Sequence, residues 1–338
     1  MAYKVRVETG GGEGAIGMLS QLPNHGQMSK DGRYCFYMNG EIDNPDFWII
    51  RNKYIKKPTT CHVAKENTIL MLSEPEDIVH FPQSYLDQFG MVFSCQESLH
   101  HRNVIYGPPA LPWLVGVINK GGKTIFTHSY DEFKNNKPET HKTKLISVIT
   151  SNKAYTKGHR QRIDFVRALK EYYGDKLDVF GRGFNTFDDK WDVLAPYKYH
   201  IAIENGSHSL YWTEKISDCF LANTFPIYYG CKNINDYFPN GGVQSIDIQD
   251  FNSTISIIDK TINSDTWENK QDTLSECKNL VLDKYNIFDL MTMCCDKLNA
   301  NAAKEYVTLK PASKFPNLNI EYHRTIGKFI WQIKNRLK

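Results

Sequence analysis

Short apolar runs set off by turn residues dominate the first 130 positions. Lys4–Glu8, Asp46–Arg51, Thr68–Leu72 and Met91–Ser94 are rich in Val, Ile, Leu, Met, Phe and Trp, which predicts strands. Beyond Lys144 the alternation is cleaner. Leu145–Thr150 reads as a buried strand. His159–Tyr173 places Ile163, Val166, Leu169 and Tyr173 at helical spacing. Leu177–Phe180 predicts a strand closed by Gly181, Tyr199–Glu204 another, Trp212–Leu221 a helix, and Phe225–Tyr229 a strand closed by Gly230. Strands alternating with helices build a parallel sheet covered on both faces, and such sheets bind ligands beyond the carboxyl ends of their strands.

Between these halves lies Asp131–Lys144, DEFKNNKPETHKTK, polar and interrupted by Pro138, which predicts a linker. The resulting division is a domain over 1–142, a second over 143–300, and a tail over 301–338. In the tail, Ile326, Phe329, Ile330, Ile333 and Leu337 recur every three or four residues among Lys and Arg. That pattern predicts an amphipathic basic helix suited either to a membrane surface or to packing back on the protein.

Composition narrows the class. The chain has 338 residues, 41% hydrophobic and 23% charged, as in a soluble globular protein of about two domains. A net charge of +3 is too small for a nucleic-acid surface but leaves room for a local anion site. The eight cysteines are dispersed without a C-x-x-C pair, which fits reduced thiols in a cytosol better than a disulfide framework or zinc site. Met1–Gly17 lacks the apolar run of a signal peptide, and no stretch reaches the length of a membrane span. The expectation is a cytoplasmic protein, at most peripheral on a membrane.

The candidate chemistry concentrates in Tyr197–Gly230, YKYHIAIENGSHSLYWTEKISDCFLANTFPIYYG. A strand runs into Glu204-Asn205, then a polar loop, then Thr213-Glu214-Lys215 at a helix start. Free backbone N–H groups and the positive dipole end make a helix N-terminus a natural diphosphate site, and Lys215 adds a full charge. The same residues also read as an ordinary helix start, with Thr213 as N-cap and Glu214 favouring the dipole. Gly10–Gly14 lacks both Walker and dinucleotide spacing, Asp188-Asp189 has no evident third ligand, and His100-His101 has no ligand partner.

The long stretch resembles the donor-binding motif of the family 10 glycosyltransferases, the α-1,3/1,4-fucosyltransferases. Tyr197-Lys198-Tyr199, Glu204-Asn205, Tyr211-Trp212-Thr213-Glu214-Lys215 and Pro226…Gly230 match that pattern in order and spacing. A second block, Ser151-Asn152, Arg162 and Asp178-Val179-Phe180-Gly181-Arg182, is similar to another family pattern, with Arg160 competing for the place of Arg162. In a third, Leu70–Glu76, Glu74 stands where the family carries its base, and Glu76 is a local alternative.

The resemblance implies an α/β protein of GT-B type with two facing Rossmann-like halves. The first would hold the acceptor glycan and the base Glu74. The second would hold a GDP-sugar donor through Ser151, Asn152, Arg162, Gly181, Arg182, Glu204, Asn205, Tyr211, Thr213, Glu214 and Lys215. Arg162 and Lys215 would stabilise the departing diphosphate, while Glu204, Asn205, Tyr211 and Glu214 would hold ribose or fucose. It further implies an inverting, metal-independent transfer of L-fucose from GDP-fucose with no cofactor. Another GDP-sugar, or a catalytically silent glycan-binding role, would use the same scaffold.

Overall fold

The computed structural model describes residues 1–10, 15, 17–121, 123–152 and 157–315. Residues 11–14 of the glycine-rich stretch and positions 316–338, which include the basic amphipathic tail, lie outside the described residues. Two compact units emerge, the first from 1–112, 118–135 and 282 onward, the second from 113–117 and 136–281.

In the first unit six parallel strands stand in the order Tyr34–Met38, Tyr3–Glu8, Phe47–Arg51, Thr68–Met71, Met91–Ser94, Val104–Tyr106. Alternation along the central strands sends successive side chains to opposite faces. Phe47, Ile49, Ile69, Met71, Met91 and Phe93 enter one apolar cluster. Trp48, Ile50, Leu70 and Val92 enter another. Both faces are buried, which is why these strands appear as unbroken apolar runs. Burying one such side chain contributes about 1.5–3 kcal/mol.

Each cluster is completed from the far end of the chain. The helix Ile287–Cys295 adds Ile287, Phe288, Leu290, Met291, Cys294 and Cys295 to the first cluster. The strand Glu305–Leu309 pairs antiparallel with Thr59–Val63 and adds Val307 and Leu309 to the second. The domain division at 143–300 and 301–338 is therefore corrected: the chain returns to the first unit from Leu282, because these apolar faces need its sheet to bury them. The expected linker also begins as a short helix, Tyr130–Asn135, whose Tyr130 and Phe133 are buried. Tyr130 and Lys134 both bond the Asp283 carboxylate, at 2.8 and 2.5 Å.

In the second unit five parallel strands follow the order Leu177–Phe180, Lys144–Ile149, Tyr197–Ile203, Phe225–Tyr229, Gln244–Ser245. Helix Lys157–Tyr173 follows the strand Lys144–Ile149, and helix Glu214–Leu221 follows Tyr197–Ile203. Both helices thus start at the carboxyl edge of the sheet, where the candidate donor residues fall. Among the described residues, no helix is long and apolar enough to cross a membrane.

Candidate functional site

The strand Tyr197–Ile203 delivers Glu204 to the sheet edge with its side chain wholly buried. Its carboxylate accepts hydrogen bonds from the Thr213 backbone N–H (2.8 Å) and the Thr213 hydroxyl (2.8 Å to Oε1), and from Lys215 Nζ (2.9 Å to Oε2). The Thr213 hydroxyl accepts in turn from Lys215 Nζ at 2.9 Å, and its oxygen caps the helix through the Lys215 backbone N–H. A buried carboxylate requires such partners, and here they are the first residues of the next helix. Glu204 was expected to hold a sugar hydroxyl; in this geometry its oxygens fix the helix start and the lysine. Lys215 is likewise not a freely mobile cation, since it is paired with Glu204 and lies 3.7 Å from Glu214 Oε1.

The Glu214 carboxylate sits between two ammonium groups, Lys215 and Lys190, the latter at 3.6 Å. Burial alone would raise its pKa, but the charges of Lys215 and Lys190 hold it down to about 2. Lys190 also pairs with the buried Asp218 at 2.6 Å. Burial pushes the Lys190 ammonium toward neutrality, yet Asp218 and Glu214 overcome this and raise its pKa.

From the other side, helix Lys157–Tyr173 supplies Arg162, which is buried. Its Nη1 donates to Asn205 Oδ1, its Nη2 reaches Ser151 Oγ at 3.4 Å, and its Nε has no partner among the described residues. A buried guanidinium with a spare donor and, among the described residues, no carboxylate within ion-pair distance is suited to an anionic ligand. Burial lowers its pKa and Glu204 raises it, so the group stays charged at neutral pH. Arg160 is exposed. Asn205 thereby orients the arginine.

Gly181 and Arg182 close the site beside Ser151. Gly181 has φ +114°, and a Cβ there would lie 1.8 Å from the Thr150 carbonyl oxygen, so a side chain is excluded twice over. The close approach lets the Asn152 N–H donate to the Arg182 carbonyl at 3.0 Å. Asn152 and Arg182 are exposed, whereas Tyr211 is buried with its ring 6.3 Å from His208.

A cavity of about 270 Å³ unites these groups, with Ser151, Arg162, Gly181, Arg182, Glu214 and Lys215 in its wall. Asn152, Glu204, Asn205, Tyr211 and Thr213 lie outside the lining. Lys190, Asp218 and His200 are lining residues that the sequence reading missed. His200 hydrogen-bonds Ser147 Oγ through Nδ1 at 2.8 Å, and burial with the nearby Lys190 charge pushes its pKa down to about 3. Lys190 follows directly on Asp189 of the acidic pair Asp188-Asp189. One Asp189 oxygen accepts from the backbone N–H groups of Gly116 (2.9 Å) and Trp191 (2.8 Å).

In the first unit, Glu74 follows the strand Thr68–Met71 and is exposed. Its surroundings are pinned from both neighbouring strand ends. Asn52 Oδ1 accepts from the Ser73 N–H at 2.9 Å, and the Gln96 amide donates to the Glu74 carbonyl at 2.8 Å. Glu76 is exposed and accepts from the Ser98 hydroxyl.

Two α/β units, each built on a parallel sheet, give the chain an α/β fold of GT-B type, with a cationic cavity at the carboxyl edge of the second sheet. Two solved structures share the fold. A crystal structure of an α1,3-fucosyltransferase with GDP superposes with a TM-score of 0.51 at 16% identity, covering 89% of this chain and 92% of that one. A second α1,3-fucosyltransferase structure gives 0.50 at 17%, covering 81% and 80%. Residues 139–271 match the model "Glycosyltransferase family 10 (fucosyltransferase) C-term", so this stretch of the chain is similar to that family's C-terminal domain. The α-(1,3)-fucosyltransferase FucT of Helicobacter pylori is 34% identical over 77 residues, a stretch that covers 22% of this chain and 16% of that relative.

Proposed function

We propose that this protein transfers L-fucose from GDP-fucose to a hydroxyl of an acceptor glycan, inverting the anomeric carbon. The observation that carries the reading is the buried Arg162 guanidinium, with no carboxylate within ion-pair distance among the described residues, lining the same cavity as Lys215. Departing diphosphate gains negative charge in the transition state. Arg162 and Lys215 oppose that charge, each charge-assisted bond contributing about 1.5–3 kcal/mol. Glu214, ionised between its two lysines, offers acceptor oxygens to hydroxyls of the ribose or the sugar. Ser151, Gly181 and Arg182 also line the cavity, and Asn152 is tied to the Arg182 carbonyl through its backbone N–H. Glu74 takes the proton from the attacking hydroxyl, a contribution of roughly 10²–10⁴-fold.

Incubation with GDP-fucose and a panel of galactose- and N-acetylglucosamine-containing acceptors, followed by linkage analysis of the product, tests the reading. An α-linked fucosyl product supports it. GDP binding without transfer to any acceptor would leave a nucleotide-binding protein rather than a transferase. The basic tail extends the proposal to peripheral contact with anionic membranes. Flotation of the full chain with anionic vesicles, compared with a chain ending at Pro316, tests that part, and equal flotation of the two removes it.

A further inference from the structure

Glu214 and Asp218 lie one turn apart on the helix Glu214–Leu221, a spacing at which like charges repel. Lys190 stands between them, 2.6 Å from Asp218 and 3.6 Å from Glu214. Its backbone is fixed, because it opens a 3₁₀ turn capped by Asp189. Its charged end is fixed too. Asp218 is 1% exposed, and its Oδ1 accepts from the backbone N–H groups of Leu114 (2.8 Å) and Val115 (3.0 Å), so Asp218 is a rigid anchor for the ammonium. Lys190 therefore holds Glu214 from a surveyed point rather than following it.

We propose that Lys190 is a positioning residue of the donor site, which keeps the Glu214 carboxylate central between two ammonium groups so that Lys215 remains shared with Glu204 and directed into the cavity. Without Lys190, Glu214 is repelled by Asp218 and drawn onto Lys215, and the cation needed by a diphosphate is consumed by a second carboxylate. The separations of 3.6 and 3.7 Å matter here: these are ion pairs longer than hydrogen bonds, so Glu214 keeps acceptor capacity for ligand hydroxyls. Among the described residues, Lys215 and Lys190 act on Glu214 and Glu214 acts on Asp218, while Glu204 acts on Lys215 and His200 lies in the same cavity lining in neutral form.

The inference rests on the donor-site reading, and a mutant cycle separates the two. GDP affinity is measured by calorimetry for the unmodified protein, Lys190→Met, Glu214→Gln, the double variant and Lys190→Arg. Each single loss weakens GDP binding by about tenfold, the size of one charge-assisted contact. A residue that acts through Glu214 gives a double variant no weaker than Glu214→Gln within about twofold. Lys190→Arg retains affinity within about threefold. Strictly multiplicative losses would mean that Lys190 touches the nucleotide by itself or acts only on stability, and would overturn the proposal. Because Lys190→Met leaves Asp218 buried without its cation, Lys190→Met/Asp218→Asn is run alongside. The asparagine keeps Oδ1 for the two N–H groups. GDP affinity equal to the unmodified protein in that folded variant also overturns it. Failure of the unmodified protein to bind GDP would instead remove the donor-site reading beneath.

Discussion

Lys215 Nζ lies 2.9 Å from Oε2 of Glu204, a carboxylate with no exposed side-chain surface, while a quarter of the lysine side chain remains accessible. Strand end and helix start are thus joined by one ion pair, open only on the cation's side. Removing one partner of a buried pair leaves an uncompensated charge, which costs about 3–5 kcal/mol. Lys215→Ala is therefore expected to lower both GDP affinity and folding stability, whereas Lys215→Ala/Glu204→Gln recovers much of the stability but not the affinity. Denaturant unfolding and calorimetry, run on both variants, check the separation. Recovery of GDP binding in the double variant would mean that the lysine only neutralises Glu204.

Arg162 should behave differently, because its guanidinium is held by Asn205 and Ser151 and by no carboxylate hydrogen bond. Arg162→Met removes a buried cation whose Nε has no partner among the described residues, and Glu204, whose charge acts on Arg162 at longer range, keeps its bonds to Thr213 and Lys215. The expected result is a loss of GDP affinity of at least about tenfold with stability changed by less than about 1 kcal/mol. A large stability loss with intact affinity would make Arg162 a packing residue.

The ends of the first unit's strands give a third expectation. Asn52 adopts φ +49°, a left-handed conformation that asparagine tolerates, and its side chain holds the Ser73 N–H while Gln96 holds the Glu74 carbonyl. Glu74→Gln is expected to reduce turnover by about 10²–10⁴-fold with GDP affinity unchanged. Asn52→Ala and Gln96→Ala are expected to reduce turnover less, through misplacement of Glu74. Steady-state kinetics decide it. An inactive Glu76→Gln beside an active Glu74→Gln would transfer the role to the carboxylate that bonds Ser98.

Much of this was legible in the sequence because it is local. Phe47–Arg51 and Met91–Ser94 appear as apolar runs since both faces of their sheet are covered, and the order Glu204…Thr213-Glu214-Lys215 lies within one strand–loop–helix unit. What escaped is nonlocal. Lys190 meets Asp218 across 28 positions. The strand Glu305–Leu309 joins Thr59–Val63 across the whole chain, and its pattern of Tyr306 and Thr308 alternating with Val307 and Leu309 is too short to reveal its partner. Glu204 illustrates a further limit: a carboxylate at a strand end has the same sequence signature whether it faces ligand or anchors the next helix.

Transfer is expected to persist in EDTA. The acidic pair Asp188-Asp189 is committed in part, with one Asp189 oxygen holding the Gly116 and Trp191 N–H groups. Arg162 and Lys215 both line the cavity, two cations that can meet the charge of a diphosphate without a divalent ion. Product formation after exhaustive chelation, compared with samples supplemented with Mg²⁺ or Mn²⁺, checks this. Complete loss that either ion restores would overturn it and return Asp188 to consideration as a ligand.

His200 is expected to contribute to the pH dependence of stability. It is buried on the strand Tyr197–Ile203 against Ser147, and burial together with Lys190 pushes its pKa down to about 3, against about 6.5 for an unfolded histidine. Between these values the unfolded chain binds a proton that the native state refuses. The stability associated with neutral His200 is therefore complete above about pH 6.5 and is lost as pH falls toward 3, at up to about 1.4 kcal/mol per pH unit. Glu214 follows the same direction over a lower window, from the ordinary glutamate range down to about 2, because Lys215 and Lys190 favour its ionised form in the native state. The two contributions separate by position on the pH axis. Urea unfolding from pH 7 to pH 4 should show declining stability in the unmodified protein and a flatter profile in His200→Gln. The glutamine carries no titratable ring but can still hydrogen-bond Ser147. An unchanged slope in that variant would place the acid sensitivity in other groups and leave His200 as a packing residue beneath the cavity.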